Sequence, residues 1–303
     1  MDIFGQFVSQ IRKYVLQSLK SDTKGLHMHT PTTALITQPQ SRWWVRAARS
    51  FVGAAHWLHR QSKQTVEKLH PDLRDQLKEL PLLAVTQLAP KSTPDCVLSA
   101  TGQSVVVFVH GYGGSRGNFL PMQAYFRLRG YRDTISIGFH DTSRIESMAD
   151  ELRSTLRSLI LRNNIPPNGI DIVAHSLGGI ISRVTLQDPE LQTHVRNLIT
   201  LATPHSGSGL ARYLDTPICR GLMPNSSLLQ NLKKQKGWGS HPMPTLTSFW
   251  TPKDCILIPA ESAKLEEANN ICAEDCTHIS FLLKPKIWDQ IIQAMESKTN
   301  TSL

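Results

Sequence analysis

One stretch constrains this chain more than any other: Ile170-Asp171-Ile172-Val173-Ala174-His175-Ser176-Leu177-Gly178-Gly179-Ile180-Ile181. Its first half is apolar and rich in β-branched residues, which suits a buried strand. A small residue, a serine and a glycine pair follow, and then an apolar helix start. The pattern is small-x-Ser-x-Gly, with Ala174 standing where glycine is usual, and it puts Ser176 at a sharp strand-to-helix bend. Such a bend holds the serine backbone in a sparsely allowed conformation and lifts its Oγ off the sheet. Strand and helix backbones then approach closely, so the positions two before and two after the serine must be small.

The flanking chain alternates strands and helices. Ser104–Val109 is a near-continuous apolar run, as expected of a parallel strand buried on both faces. It runs into the glycine-rich His110-Gly111-Tyr112-Gly113-Gly114-Ser115. A helix is expected over Pro121–Arg129 and a strand over Thr134–Ile137. Ser143 and Glu146 read as a capping box opening an amphipathic helix with Ile145, Met148, Leu152, Leu156 and Leu159 on one face. Val195–Leu201 is a further strand, residues 206–250 read as irregular, Cys255–Ile258 as a late strand and Ile287–Met295 as a terminal helix. The expected fold is α/β: a doubly wound, mainly parallel sheet over 101–303, preceded by a helical, basic extension and linker over 1–100.

That extension carries most of the charge. Residues 1–63 hold nine lysines and arginines against two aspartates, or +7 of the net +9. Apolar stripes at helical spacing run through 3–19 and 42–68, a Thr-, Pro- and Gln-rich linker separates them, and Pro71 and Asp72 open a short helix to about Leu80. Two readings of residues 1–70 stand: the stripes pack on the catalytic domain, or the basic, Trp- and Phe-bearing helices lie peripherally on a membrane. Nucleic acid is not expected as a partner, because no binding module accompanies the charge. Neither a signal peptide nor a transmembrane run is recognisable, so a cytoplasmic protein, peripheral to a membrane on the second reading, is expected.

The five cysteines are too scattered for a disulfide framework. Cys272-x3-Cys276-x-His278 has no second Cys/His pair at a familiar zinc spacing, so no metal is expected. Unpaired thiols are expected, a local Cys272–Cys276 disulfide being the alternative in an exported chain.

A serine hydroxyl is a poor nucleophile until an oriented base takes its proton. With a strand–Ser–helix bend, acid and histidine follow the serine in that order. His194 and His205 lack a convincing acid, and His241 with Asp215 lies in the irregular segment. Asp254, beside the expected strand 255–258, and His278, on a later loop, suit the order, with Glu261 or Asp275 as reserve acids. Two N–H donors must face the developing oxyanion. Leu177, first in the helix, supplies one, and the loop after strand 104–109 supplies the other, at Tyr112. A phosphate-binding loop is excluded there because no Lys-Ser/Thr follows the glycines.

Three segments taken together, Val107-Phe108-Val109-His110-Gly111-Tyr112-Gly113-Gly114, Ala174-His175-Ser176-Leu177-Gly178-Gly179 and Ala202-Thr203-Pro204-His205-Ser206-Gly207, resemble the lipase/esterase branch of the α/β-hydrolases. They look most like bacterial triacylglycerol lipases and inositol-deacylase-like serine esterases. The resemblance spans roughly 103–295. It implies Ser176 as nucleophile, Asp254 as acid, His278 as base, Tyr112 and Leu177 as oxyanion donors, and carboxylic-ester hydrolysis without a cofactor. The expected substrate is an acyl ester, in particular a lipid, entering under a short lid between His205 and Asp254. Acyl transfer on the same fold and a non-catalytic membrane-binding protein are the alternatives. The Thr203-Pro204-His205 turn is expected to be architectural.

Overall fold

The computed structural model describes residues 70–86 and 104–297. The chain divides into two units, Met1–His70 and Pro71–Leu303. The helices expected at 3–19 and 42–68, their packing or membrane contact, and Cys96 lie outside the described residues.

The second unit is built on a six-stranded, all-parallel sheet. In chain order the main elements are α1 (Pro71–Thr86), β1 (Val105–Val109), α2 (Leu120–Leu128), β2 (Thr134–Ile137), α3 (Ile145–Asn163), β3 (Ile170–His175), α4 (Leu177–Thr185), α5 (Pro189–His194) and β4 (Val195–Leu201). Then come α6 (Pro217–Gly221), α7 (Ser227–Lys233), β5 (Thr245–Trp250), β6 (Asn269–Cys272) and α8 (Pro285–Glu296). The strand order is β2-β1-β3-β4-β5-β6, so β3, which carries the serine bend, is flanked by β1 and β4. Among the described residues no helix is long and apolar enough to cross a membrane.

The uninterrupted apolar run of β1 has a direct cause. Successive strand side chains point to opposite faces, and both faces of this sheet are covered. Val105, Val107 and Val109 enter one core with Ile172 and Ala174 of β3 and Leu152, Leu156 and Ile180 of α3 and α4. Val106 and Phe108 enter the other with Val173, Phe126 of α2 and Trp288 and Ile291 of α8. Each such fully buried side chain contributes about 1.5–3 kcal/mol relative to an exposed one.

The structure departs from the sequence reading in several places. The Ser143/Glu146 capping box does not form: α3 begins one residue later, with Arg144 at the N-cap and no side-chain cap. Ser143 instead turns to Asp141, whose Oδ1 accepts its N–H at 2.9 Å. The helix at Pro71 does not stop near Leu80 but continues through Pro81 to Thr86. Within the stretch read as irregular, Thr245–Trp250 is β5, pairing with β4.

Conversely, Cys255–Ile258 is not a strand. Asp254 Oδ1 accepts the N–H groups of both Ile256 and Leu257 at 2.8 Å, which curls the chain into a turn, and Ser208 Oγ accepts the N–H of Ile258 at 3.2 Å. An apolar tetrapeptide looks the same in a strand and in a half-exposed loop. Asp254 therefore follows β5 rather than preceding a strand. The four described cysteines, Cys219, Cys255, Cys272 and Cys276, are unpaired thiols.

Candidate active site

Ser176 sits between β3 and α4 with φ 54° and ψ −124°, a left-handed backbone that a non-glycine residue adopts only when its surroundings impose it. Those surroundings are specific. The Ser176 N–H donates to the Leu201 carbonyl at 2.8 Å, and its own carbonyl accepts the Thr203 hydroxyl at 2.9 Å. The Ala202-Thr203-Pro204-His205 turn thus braces the bend, in keeping with an architectural role. Gly178 lies so close to β1 that a Cβ there would stand 2.3 Å from the Val109 carbonyl oxygen, inside any real contact. Ala174 is fully buried on the strand side.

His278 lies on the loop after β6, and its Nδ1 meets Asp254 Oδ2 at 2.7 Å with both side chains nearly inaccessible to water. A carboxylate accepts, so Nδ1 carries the proton and the Nε2 lone pair is left to act as a base. The other Asp254 oxygen is taken by the two N–H groups of the 256–257 turn, so the carboxylate has no freedom to swing.

The loop after β1 lies directly on the serine: a Cβ on Gly111 would stand 2.8 Å from Ser176 Cβ. A turn closes from the Gly114 N–H to the Gly111 carbonyl at 3.1 Å, which leaves Tyr112 at its tip. Leu177 is the first residue of α4, where the N–H has no partner within the helix. Of the two expected oxyanion donors, Leu177 follows Ser176 directly and Tyr112 follows Gly111, which lies against it. Partial burial of its ring raises the pKa of the Tyr112 hydroxyl. The Ser176 hydroxyl itself makes no hydrogen bond among the described residues. In sites of this kind such bonds often tighten only when substrate arrives.

The rival residues fall away from this cluster. His241, Glu261 and Asp275 are exposed, and Asp215 is exposed and paired with Arg220. His205 is buried elsewhere, its Nε2 within 3.1 Å of Thr200 Oγ1.

Two supporting residues were not legible in the sequence. His175, beside the serine, donates from Nε2 to the His278 carbonyl at 2.9 Å, and the two rings lie edge to face, 4.9 Å between centroids. Burial first, and the nearby His278 second, push the His175 pKa down to about 3, so it is neutral. Glu79 of α1 holds the same loop from the other side: its two oxygens accept the hydroxyls of Thr277 and Ser280, each at 2.5 Å. His175 occupies the variable position of the serine pattern. Glu79 lies nearly 200 residues from its partners, and nothing local marks it.

The start of the segment that follows His205 packs on the turn after Asp254. Ser208 donates its hydroxyl to the Ile256 carbonyl at 2.9 Å, and the Gly209 N–H donates to the Ile258 carbonyl at 2.8 Å. Ile256 and Ile258, in the turn that Asp254 holds, are exposed, as is Tyr112.

An all-parallel sheet, a strained serine between its third strand and the next helix, and a buried Asp–His pair at later strand ends define one architecture. This chain has the α/β-hydrolase fold. Residues 142–218 match the family described as the PGAP1-like alpha/beta domain. The chain is similar in structure to the mature Bacillus licheniformis lipase BlEst2 (TM-score 0.56, 18% identity), over 67% of this chain and 96% of that one. It is similar also to Aspergillus fumigatus lipase B (TM-score 0.52, 15% identity), over 69% of this chain and 60% of that one. A third similar structure comes from the metagenome-derived lipolytic enzymes LipS and LipT (TM-score 0.50, 12% identity), over 68% of this chain and 98% of that one. The α/β-hydrolase fold and its lipase and esterase neighbours agree with the resemblance seen in the three motifs.

Proposed function

We propose that this protein is a serine hydrolase that cleaves carboxylic esters through Ser176, His278 and Asp254. The observation that carries the reading is the buried Asp254–His278 pair, oriented so that Nε2 is the free basic atom, on the loop tied to His175 beside a strained Ser176.

Ser176 Oγ attacks the ester carbonyl carbon while His278 Nε2 takes its proton. The carbonyl oxygen becomes an oxyanion and accepts the N–H groups of Tyr112 and Leu177. When the tetrahedral adduct collapses, the C–O bond to the alcohol breaks and His278 returns the proton to the leaving alkoxide. Water then enters, loses a proton to His278 and attacks the acyl-enzyme, which releases the acid and restores the serine. Asp254 keeps the imidazole in its Nδ1–H tautomer and offsets the charge it gains. Every group required is a side chain or main-chain amide of this chain.

An apolar acyl ester, as in a lipid, is the substrate class we favour, in line with the exposed Tyr112 next to Gly111 and the exposed Ile256 and Ile258 just after Asp254. That three similar structures come from lipases and lipolytic enzymes supports ester chemistry for this site. The test is labelling by a fluorophosphonate probe, read by intact mass, with wild type beside Ser176→Ala, followed by an ester series of increasing acyl length. Labelling of wild type alone and turnover that rises with chain length are expected. A folded wild type that stays unlabelled with and without detergent would sink the nucleophile assignment, and a preference for short, water-soluble esters would sink the lipid one.

A further inference from the structure

The proposed hydrolysis needs the Tyr112 N–H held in one direction, yet the loop that carries it has glycine at 111, 113 and 114. Glycine brings no side-chain contact and the freest backbone, so something outside those residues has to fix the loop. Within it the anchored atom is the Gly111 carbonyl oxygen, which accepts the Gly114 N–H at 3.1 Å and the His110 Nδ1–H at 3.0 Å. Gly113, third in this turn, has φ 71°, the left-handed value a type II turn asks of that position. The Gly111–Tyr112 peptide is planar and trans, so a carbonyl facing into the turn sends the Tyr112 N–H out of it. The direction of that donor therefore depends on what holds Gly114.

Asn118 holds it. The residue is buried, and its Oδ1 accepts the Ser115 N–H at 2.6 Å. The same oxygen occupies the space a Gly114 side chain would need: a Cβ there would stand 2.7 Å from it. Oδ1 thus packs on one loop residue and bonds the next. Asn118 belongs to a short turn, Arg116–Phe119, that is itself pinned from three sides. Ser136 of β2 donates its hydroxyl to the Arg116 carbonyl at 2.8 Å. Phe119 is fully buried, its ring centre 5.0 Å from that of Phe108 in β1. Asn118 Nδ2 donates to Thr86 Oγ1, on the last residue of α1, at 3.1 Å. That last bond fixes the plane of the amide, nitrogen toward α1 and oxygen toward the loop.

We propose that Asn118, oriented by Thr86, is a positioning residue for the oxyanion donor: it holds Gly114 and Ser115, and through the Gly111 carbonyl it keeps the Tyr112 N–H aimed. The inference rests on Ser176 attacking an ester. It gives a part in that reaction to two residues that touch neither the substrate nor the three proposed catalytic side chains.

The test uses the full chain, a soluble ester and an alkyl trifluoromethyl ketone. Ser176 Oγ adds to the ketone carbon as its proton passes to His278, and the ketone oxygen becomes an anion where the ester oxyanion would form. Affinity for the ketone therefore reads the oxyanion donors, whereas KM does not. Asn118→Ala removes the prop, and Thr86→Val leaves Asn118 in place but deletes its anchor. In Asn118→Ala kcat is expected to fall ~10- to 100-fold, less than the ~10²- to 10³-fold loss of a deleted donor. In Thr86→Val, which lacks one hydrogen bond at a remove, the fall is ~2- to 10-fold. In both, KM stays within about twofold and ketone affinity weakens by the same factor as kcat/KM. A purely structural role would lower the unfolding midpoint and leave both readouts alone. Should Asn118→Ala fail to fold, Thr86→Val decides on the same readouts. Folded variants that keep the wild-type kcat, or that lose kcat without losing ketone affinity, overturn the proposal. A wild type that neither cleaves the ester nor binds the ketone overturns the hydrolase reading instead.

Discussion

His175 hands its Nε2–H to the main-chain carbonyl of His278 across 2.9 Å, so the residue next to the proposed nucleophile holds the proposed base by its backbone. The bond acts on the loop, not on the ring that would move protons. Replacing His175 with phenylalanine keeps the buried ring and deletes the donor, which leaves the His278 carbonyl buried without it. The expected result is a fall in kcat of about 10- to 100-fold with KM nearly unchanged, because a misplaced base slows the chemical step rather than binding. Steady-state kinetics on a soluble ester decide it. An unchanged kcat in a folded His175→Phe would show the bond to be dispensable.

Acid should unfold this domain steeply, and the buried histidines give the reason. Burial lowers the pKa of His110 to about 4 and that of His175 to about 3, and His205 is also held well below the ordinary value of 6.5. Between those values and 6.5 the unfolded chain binds the protons and the folded one does not. Stability is therefore fully present above about pH 6.5 and is lost as pH falls toward 4, by about 1.4 kcal/mol per pH unit for each histidine. Three acting together give about 4 kcal/mol per unit, large against the ~5–15 kcal/mol of a typical domain. Urea midpoints measured from pH 7 to pH 4.5 should fall accordingly, and His110→Gln should flatten the slope by about one third. A flat profile over that range would contradict the neutral, buried assignment of these rings.

How much of this was legible depended on whether the signal was local. The serine bend and β1 could be read because a two-face-buried strand must be apolar throughout and a tight bend must be flanked by small residues. Both demands fall on contiguous positions. Asp254 and His278 were expected from chain order and do pair with each other, although the strand beside Asp254 was misread. Thr245–Trp250 mixes Thr and Ser with Leu, Phe and Trp, and its four central residues are buried all the same, as an interior strand allows. β6, Asn269–Cys272, is largely exposed at the sheet edge and lacks an apolar pattern. Glu79 was invisible because its partners, Thr277 and Ser280, are set by tertiary packing.

Gly111 offers a direct probe of the oxyanion loop. Its φ is not in the left-handed region, so alanine brings no backbone strain, but the new methyl would stand 2.8 Å from Ser176 Cβ and 3.0 Å from the His175 carbonyl oxygen. Neither neighbour is a flexible side-chain end, so the loop has to retreat and carry the Tyr112 N–H with it. Loss of one oxyanion donor lowers kcat about 10²- to 10³-fold. Gly111→Ala should approach that loss on an activated ester while its unfolding midpoint moves little, since the retreating loop is half exposed. Activity within a factor of two of wild type would remove Tyr112 from the oxyanion role.

Glu79 extends the site beyond the three motifs. It sits on α1, before the segment that resembles known hydrolases, yet its carboxylate spans Thr277 and Ser280, the residues on either side of the His278–Ile279 step. The Thr277 N–H donates in turn to Ser280 Oγ at 2.9 Å, and Thr251 Oγ1 donates to the Cys276 carbonyl at 2.6 Å, so the loop is fixed by a closed set of side-chain bonds. Glu79→Ala deletes two charge-assisted acceptors and should cost about 1–3 kcal/mol of stability. Glu79→Gln retains one acceptor oxygen and should recover part of it. Because the loop carries the proposed base, kcat should fall in the same order, alanine below glutamine below wild type, with KM little altered. Measuring stability and kcat on the three proteins separates a positioning role from a purely structural one. If alanine lowers the unfolding midpoint but leaves kcat untouched, α1 supports the domain and not the site.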